Sequence, residues 1–499
     1  MTRRIFLVLL ALTLLFRFWL AAAMPITGDE AYFIWWGWTP ALGFYDHPPM
    51  IGWWLALLLK VSAAEWWLRT PTILIPGIMA LATARFLRSR GEALSWGAAT
   101  LVLLAPVNVW NVFVTTDTPL IYFVFFSALA FLHAARDDNW RFYLLSGLLL
   151  AGAALSKYFA ALLGFAYLLH ALVHPGRRKW LGLLLCYSAV VPALLLMAWW
   201  NSSHCWSNYM FNFVNRHGDA GWSWQTPLLY LVMLLYMLTP PVVWLLIRER
   251  AALATTWVAA PGRALLSIAA APLLLFAGLS LVKEIGLHWV LAFLPFVFIA
   301  LAGMLDAARL QRVVNFFIGF AIFHIIVIVA IAQFPLEAWQ RTRLYDGIVL
   351  TFETQKLLEQ LKPYEKDYVF ASDGFSNAVT LGYNARHYFL VFGEGSSHAR
   401  HDDILTDFRA LDGRNILILR KTPPDPDYYE KFFHKVDVRS FKVRGVDFYI
   451  VLGRTFYYAA YRDDVLDWVR RNYYAIPRWL PQNGCYFCDR YFPETSCCK

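Results

Sequence analysis

The 499-residue chain is 59% hydrophobic and only 16% charged, and its mean hydropathy is +0.48. These values exclude an ordinary soluble protein of this length and indicate a protein with several membrane-spanning segments. The formal charge of +10 does not indicate a nucleic-acid partner, because basic cytoplasmic loops of a membrane protein give the same balance.

Apolar stretches of membrane-spanning length recur along the first two thirds of the chain, and the first is expected to be a retained helix. They predict about eleven transmembrane helices, near residues 5–23, 70–87, 94–114, 119–135, 142–158, 160–174, 180–200, 226–247, 264–282, 288–305 and 313–333. With a cytoplasmic N-terminus, the inner loops hold fifteen Lys and Arg residues and the outer loops only five. This bias obeys the positive-inside rule and supports that orientation.

The first outer loop, residues 24–69, places charges among aromatic residues. Its segment "TGDEAYFIWWGW" is expected to form an interfacial helix with Asp29 and Glu30 in the first turn. Helix capping explains this acidic pair as well as catalysis does, because Thr27 and Glu30 have the spacing of a capping box. Taken alone, the pair does not decide between the two.

Further polar residues are predicted at the same outer face. They are Arg17 in the first helix, Asp46 and His47 in "GFYDHPPMIGWW", Asp117 in "TTDTPL", Lys157 in "ALSKY" and His288 in "KEIGLHW". Each has an ordinary explanation, such as a helix cap for Asp117 or snorkelling for Lys157. Their joint occurrence on one side of the membrane favours a site built at the bilayer surface.

An odd number of spans places everything after about Gln333 on the outer face. The sequence therefore predicts a transmembrane domain over 1–333 and a small α/β domain over 334–499. Residues 347–362 show helical periodicity, whereas "DYVFAS", "NILILR" and "DFYIVLG" have the composition of short buried strands.

Four cysteines, Cys485, Cys488, Cys497 and Cys498, lie in the last fifteen residues. Outside the cytoplasm this crowding predicts disulfides, with a zinc site as the alternative. Because adjacent cysteines rarely bond each other, Cys497 and Cys498 are each expected to pair with Cys485 or Cys488.

The motifs "GDEAYFIWWGW…GFYDHPPMIGWW", "TTDTPL" and "ALSKY", in that order, resemble the polyprenyl-phosphate-sugar glycosyltransferases of the GT-C class. That class includes the dolichyl-phosphate-mannose–protein mannosyltransferases and the bacterial aminoarabinose transferases of lipid A. The resemblance covers roughly the first 300 residues and implies a polytopic α-helical bundle in the bacterial inner membrane. It also implies inverting sugar transfer on the periplasmic face, from a polyprenyl-phosphate donor to lipid A, another glycan or a protein.

The same resemblance implies that Asp29 is the general base, with Glu30 beside it. The second acidic position of the loop falls on Asp46, and His47 follows where the aminoarabinose transferases have a lysine. That departure makes a divalent metal held by Asp46 and His47 an alternative, and no other cofactor is expected.

Asp117 matches the acidic residue of the family's second outer loop, and His288 lies where the family has a basic–tyrosine pair. Lys157 matches a basic residue that is expected to contact the donor phosphate, together with Arg17 or His47.

The alternatives to a glycosyltransferase are a transporter or lipid flippase, and a sensor or assembly factor. Transporter sites lie near the membrane midplane, often between internal repeats, whereas these polar residues are predicted at one rim.

Overall fold

The computed structural model describes residues 1–217, 221–258, 260–393 and 400–494, and the chain divides into two compact units. The membrane unit comprises Met1–Met24, Leu58–Leu196 and Asp219–Gln333, and the sheet unit comprises Pro25–Leu57, Met197–Gly218 and Phe334–Lys499. This division differs from the expected domains 1–333 and 334–499. The reason is packing, because Tyr45 and Phe211 lie in the same hydrophobic core as side chains of the C-terminal segment.

The membrane unit is helical. Its helices are Arg3–Ala23, Glu65–Leu68, Thr70–Phe86, Glu92–Leu103, Pro106–Trp110, Asp117–Asp137, Trp140–Ala154, Ala160–Val173, Arg177–Ser202, Gln225–Leu238, Pro240–Arg248, Arg250–Val258, Ala260–Ser280, Leu294–Met304 and Ala307–Gln333. The last residues of Arg177–Ser202 belong to the sheet unit. Short 3-10 turns occur at Arg88–Arg90 and Leu287–Trp289.

Five helices of the described chain are long and apolar enough to cross a membrane. They are Arg3–Ala23, Asp117–Asp137, Arg177–Ser202, Pro261–Ser280 and Ala307–Gln333. A bent pair, Gln225–Leu238 and Pro240–Arg248, makes a sixth span if its two helices, 96° apart, count as one. The chain is thus a multi-pass membrane protein.

The count of eleven spans remains a prediction, because several expected segments form shorter helices. The expected span 94–114, for example, divides into Glu92–Leu103 and Pro106–Trp110. Pro106 lacks the N–H that would continue the first helix and disfavours helical geometry in the residue before it. Breaks of this kind do not show in an average over hydrophobicity.

The sheet unit contains a five-stranded mixed sheet. Its strands are β1 (Val369–Ser372), β2 (Leu390–Val391), β3 (Ile416–Arg420), β4 (Phe433–Val443) and β5 (Val446–Phe456), in the spatial order β2-β1-β3-β5-β4. β1 runs parallel to β2 and β3, and β5 is antiparallel to β3 and β4. The helices of this unit are Gly28–Trp38, Met50–Leu59, Ser207–Phe213, Tyr345–Phe352, Thr354–Leu361, Phe375–Ala385, Asp402–Leu405, Pro426–Glu430, Tyr458–Tyr461, Asp467–Tyr473 and Tyr486–Tyr491.

The sheet is buried on both faces. Along β3, Ile416 and Ile418 lie in one hydrophobic core, while Leu417 and Leu419 lie in the other. This alternation follows from the two-residue period of a strand, and a strand buried on both sides is apolar throughout. The three predicted strands are confirmed as β1, β3 and β5.

The edge strand β4 has no counterpart in the predicted elements, because its sequence "FHKVDVRSFKV" is rich in charged residues. Charge is typical of edge strands, since it discourages pairing with other chains. β4 and β5 are joined by Arg444 and Gly445, which both have positive φ, as a two-residue hairpin turn requires.

Candidate functional site

The two acidic residues in the first turn of the helix Gly28–Trp38 have different surroundings. The Glu30 carboxylate accepts hydrogen bonds from the Thr27 N–H and hydroxyl, both at 3.1 Å, and the Thr27 hydroxyl accepts one from the Glu30 N–H at 3.3 Å. This is the expected capping box, and Glu30 is fully buried within it. Asp29 is exposed and makes no hydrogen bond or ion pair with the residues that the structure describes. Of the two carboxylates, that of Asp29 is therefore the one open to solvent.

Asp46 lies in the same unit and is held by two partners. Arg400 Nη1 lies 2.6 Å from Asp46 Oδ2, and the Tyr32 hydroxyl donates to Asp46 Oδ1 at 3.2 Å. Tyr32 in turn accepts a hydrogen bond from the His401 N–H at 3.0 Å. Because the Asp46 side chain is only 2% exposed, this charge depends on Arg400 for compensation.

Arg400 is fixed by aromatic rings as well as by its ion pair. Its guanidinium lies 4.4 Å from the ring centre of Phe375 and 4.7 Å from that of Phe211. Both distances are within the range of favourable cation–π contact. On the helix that carries Phe211, Asn212 donates to the Asp46 carbonyl at 2.8 Å, which holds the backbone of the first loop beside the same ring.

Desolvation and, after it, nearby charges set the ionisation of Asp29. Although the side chain is partly exposed, desolvation by the surrounding protein raises the pKa of Asp29 above its ordinary value. Arg400 opposes this shift, whereas Asp46 and Glu30 add to it. A carboxylate whose pKa is raised toward the working pH is better suited to accept a proton in a reaction.

His401, next to Arg400 in the chain, is neutral at physiological pH. Burial lowers its pKa to about 4, although Asp46 opposes the shift. Only one positive charge, that of Arg400, therefore comes from this pair of residues.

A metal ion at Asp46 and His47 does not fit these contacts. Both Asp46 oxygens already accept hydrogen bonds, one of them from a cation that a metal would have to displace. In the described part of the chain, no group of three or more His, Cys, Asp or Glu side chains has the arrangement of a metal site. His47 instead packs with its ring near Phe33 and Trp36. In this structure the cation beside Asp46 is therefore Arg400 and not the metal ion that the sequence offered as an alternative.

In the membrane unit, Asp117 and Lys157 form a buried ion pair. Lys157 Nζ lies 2.8 Å from both carboxylate oxygens, and the two side chains are 7% and 9% exposed. Asp117 begins the span Asp117–Asp137, and Lys157 lies in the break between Trp140–Ala154 and Ala160–Val173. The structure brings these two predicted residues together, and two of the three N–H groups of the ammonium are used by the pair.

Arg17, which is expected to contact phosphate, binds backbone carbonyls within the membrane unit. Its fully buried guanidinium donates to the carbonyl oxygens of Thr72, Ile73, Asn108 and Asn111. Four of its five N–H groups are thereby used, and they tie the first helix to two other segments. Backbone carbonyls, and not a carboxylate, compensate this charge.

The other predicted residues are His288 and the cysteines. His288 is exposed in the short turn Leu287–Trp289 of the membrane unit. In the sheet unit, Cys485 forms a disulfide with Cys205, 280 residues earlier, so the expected pairing of Cys485 with Cys497 or Cys498 is wrong. This bond also removes Cys485 from the alternative zinc site. Cys488 is disulfide-bonded as well, and Cys497 and Cys498 lie outside the described residues.

The sequence did not predict Arg400 or Cys205 as functional residues. Arg400 is the partner of Asp46, and Cys205 is the partner of Cys485. Arg400 is 354 residues from Asp46, in the segment "RHDDI", and no motif marks it. Only a contact made in the folded chain identifies such a residue. Cys205 is one of the six cysteines of the chain, but nothing in its local sequence marks it as the partner of Cys485.

Comparisons with known proteins agree with this description. Residues 46–200 match the family described as dolichyl-phosphate-mannose-protein mannosyltransferase. The match includes Asp46, Asp117 and Lys157 and begins after Asp29. The lipid A galacturonosyltransferase RgtD of Rhizobium johnstonii is 28% identical over 183 residues. That alignment spans 35% of this chain and 38% of the relative, well under two thirds of its length.

Two crystal structures of ArnT from Cupriavidus metallidurans share the fold. The structure bound to undecaprenyl phosphate has a TM-score of 0.60 and the apo structure one of 0.61, both at 14% sequence identity. Each comparison covers 89% of this chain and 97% of ArnT. At this identity the likeness shows the fold. Together with the family match, it confirms the resemblance to GT-C glycosyltransferases related to lipid A modifiers.

Proposed function

We propose that this chain, which has the fold of a GT-C glycosyltransferase, transfers a sugar from a polyprenyl-phosphate donor to lipid A at the periplasmic face of the inner membrane. The name of the relative RgtD suggests a uronic acid as the sugar. The ArnT structure with undecaprenyl phosphate suggests the carrier. The family match in residues 46–200 favours a transferase over the transporter or flippase alternative.

One observation carries the proposed chemistry. Asp29 in the first outer loop is exposed and makes no hydrogen bond or ion pair with the described residues, whereas Glu30 caps a helix and Asp46 is paired with Arg400. Asp29 accepts the proton of an acceptor hydroxyl as its oxygen bonds to the anomeric carbon of the sugar. The bond from that carbon to the phosphate oxygen breaks, and its electron pair leaves with the polyprenyl phosphate. Attack from the face opposite the phosphate inverts the anomeric configuration.

Lys157 is the proposed cation for the departing phosphate. Asp117 accepts two hydrogen bonds from its ammonium and leaves one N–H for a phosphate oxygen. A charge-assisted hydrogen bond to the leaving group is strongest when the phosphate carries its full charge, after the bond breaks. The pair thus offers a pre-positioned donor.

The function is tested by mass spectrometry of lipid A from cells with and without the gene. We expect lipid A from cells that express the chain to carry an added hexuronic acid, which is missing without it. A hexose or pentosamine increment would retain the transferase and change the sugar. Unchanged lipid A, in membranes shown to contain the protein and the donor, would contradict the proposal.

Arg400 lowers the pKa of Asp29, the proposed base, and this predicts how activity depends on pH. Asp29 must be ionised to accept a proton, and the positive charge of Arg400 opposes the upward shift of the Asp29 pKa. Arg400→Gln removes that charge and leaves Asp46 unpaired nearby, so the Asp29 pKa rises further. We expect the acidic limb of the kcat/KM profile to move to higher pH in this variant. Arg400→Lys should restore most of the original profile.

Arg439→Gln is the matched control, because Arg439 also pairs with an aspartate, Asp437, but on an exposed surface. It should leave the pH profile unchanged. If Arg400→Gln lowers activity by the same factor at every pH, Arg400 supports the structure only and does not tune Asp29.

A further inference from the structure

Three arginines line a cavity of about 780 Å³ in the membrane unit. We call it the arginine groove and define it by Arg85, Arg88, Arg136, His133, Phe86 and Phe142. Among the described residues, its lining includes no Asp or Glu. The proposed transfer chemistry uses none of these residues.

The guanidinium groups of the groove are poorly compensated by the protein. Among the residues that the structure describes, Arg85 and Arg88 form no ion pair. Arg136 meets only its chain neighbour Asp137, at 3.4 Å and with both side chains more than half exposed. An exposed pair of this kind contributes little. The groove therefore carries an excess of positive charge that attracts anions.

Aromatic rings give the groove a firm wall. His133 lies between Phe86 and Phe142, with ring centres 5.3 Å and 5.2 Å away. A second cavity of about 400 Å³ shares Phe86, His133 and Arg136 with the groove and adds Arg90. The positive charge thus extends over two neighbouring depressions and is not confined to a single surface residue.

The groove lies at one end of apolar helices. Arg85 is in the last turn of Thr70–Phe86, and Arg136 is in the last turn of the span Asp117–Asp137. Leu81, one turn before Arg85 on the same helix face, is 42% exposed. Leu145, three residues after Phe142 on its helix, is 44% exposed. A cationic depression next to exposed leucines fits a ligand with an anionic head and an apolar tail.

We propose that the arginine groove binds the head group of an anionic phospholipid. Arginines bind phosphate oxygens through paired N–H groups, and basic pockets between membrane helices are typical sites for anionic head groups. The acyl chains would cover the exposed leucines. The positive-inside rule explains why arginines occur at this end of the helices, but it does not require them to line a common cavity. The proposal is independent of the transferase function.

The test reconstitutes the purified full-length protein in nanodiscs of phosphatidylcholine with added phosphatidylglycerol or cardiolipin, and measures retained lipid by native mass spectrometry. We expect anionic lipid to be retained over phosphatidylcholine. The triple variant Arg85→Gln/Arg88→Gln/Arg136→Gln should lower that retention by roughly 100-fold, as expected for three basic residues at a membrane surface. All three side chains are exposed, so the variant should fold, which its melting temperature checks.

Arg177→Gln/Arg178→Gln/Lys179→Gln is the matched control, because it removes three charges from the same predicted face but none from the groove. It should retain anionic lipid like the unaltered protein. Equal loss in both triple variants would overturn the proposal in favour of a diffuse surface charge. Displacement of the lipid by millimolar inorganic phosphate would overturn it in favour of a site for free phosphate. Equal retention of phosphatidylcholine would show that the groove does not distinguish anionic from zwitterionic head groups, and would also overturn the proposal.

Discussion

Asp29→Asn is expected to lower the rate of sugar transfer by about 10²–10⁴-fold, the usual effect of removing a general base. The amide keeps the size of the side chain but cannot accept the acceptor proton. Since Asp29 forms no hydrogen bond or ion pair with the described residues, the variant should keep its thermal stability. The measurement is kcat with a saturating lipid-linked donor in proteoliposomes.

Glu30→Gln is the control that separates the two acidic neighbours. It replaces the buried carboxylate of the capping box by an amide oxygen, which accepts the Thr27 N–H more weakly, and it leaves Asp29 in place. We expect a lower melting temperature with transfer largely retained. Full transfer by Asp29→Asn, or a larger loss in Glu30→Gln, would show that the base has been assigned to the wrong residue.

Lys157→Met is expected to lose both stability and transfer. It leaves the Asp117 carboxylate buried without its cation, and breaking a buried ion pair in this way costs about 3–5 kcal/mol. It also removes the proposed N–H donor to the leaving phosphate. Melting temperature and kcat/KM with the lipid-linked donor measure the two losses separately.

The double variant Asp117→Asn/Lys157→Met distinguishes structure from chemistry. It removes both charges, so most of the lost stability should return. Transfer should not return with it, because the phosphate still lacks its cation. If activity recovers along with stability, Lys157 serves the fold alone and does not contact the donor.

The sequence predicted elements whose cause is local. The helix Gly28–Trp38 and its capping box were predictable, because Thr27 and Glu30 are three residues apart. The strands β1, β3 and β5 were predictable from continuous apolar runs. The edge strand β4 was not, since its charges reflect its position at the rim of the sheet.

The site was predictable only in part, because most of its contacts join residues that are distant in the sequence. The motifs selected Asp29, Asp46, Asp117 and Lys157, and the structure shows the last two in contact. They did not show that Glu30 is used as a cap, nor that Arg17 binds backbone carbonyls. A side chain's type and spacing do not show which of several available partners satisfies its charge.

Composition and periodicity by themselves established a multi-pass helical membrane protein with a charged, aromatic first loop. This was possible because the preference of each residue for hydrocarbon or water depends on its own side chain. Tertiary structure alone decided which charged side chains are paired within the protein and which are open to solvent. The partner of Asp46 is Arg400 and that of Cys485 is Cys205, hundreds of residues away in each case. Folding brings residues together that are far apart in the sequence, and burial of the Asp46 charge then makes its pairing with a cation necessary.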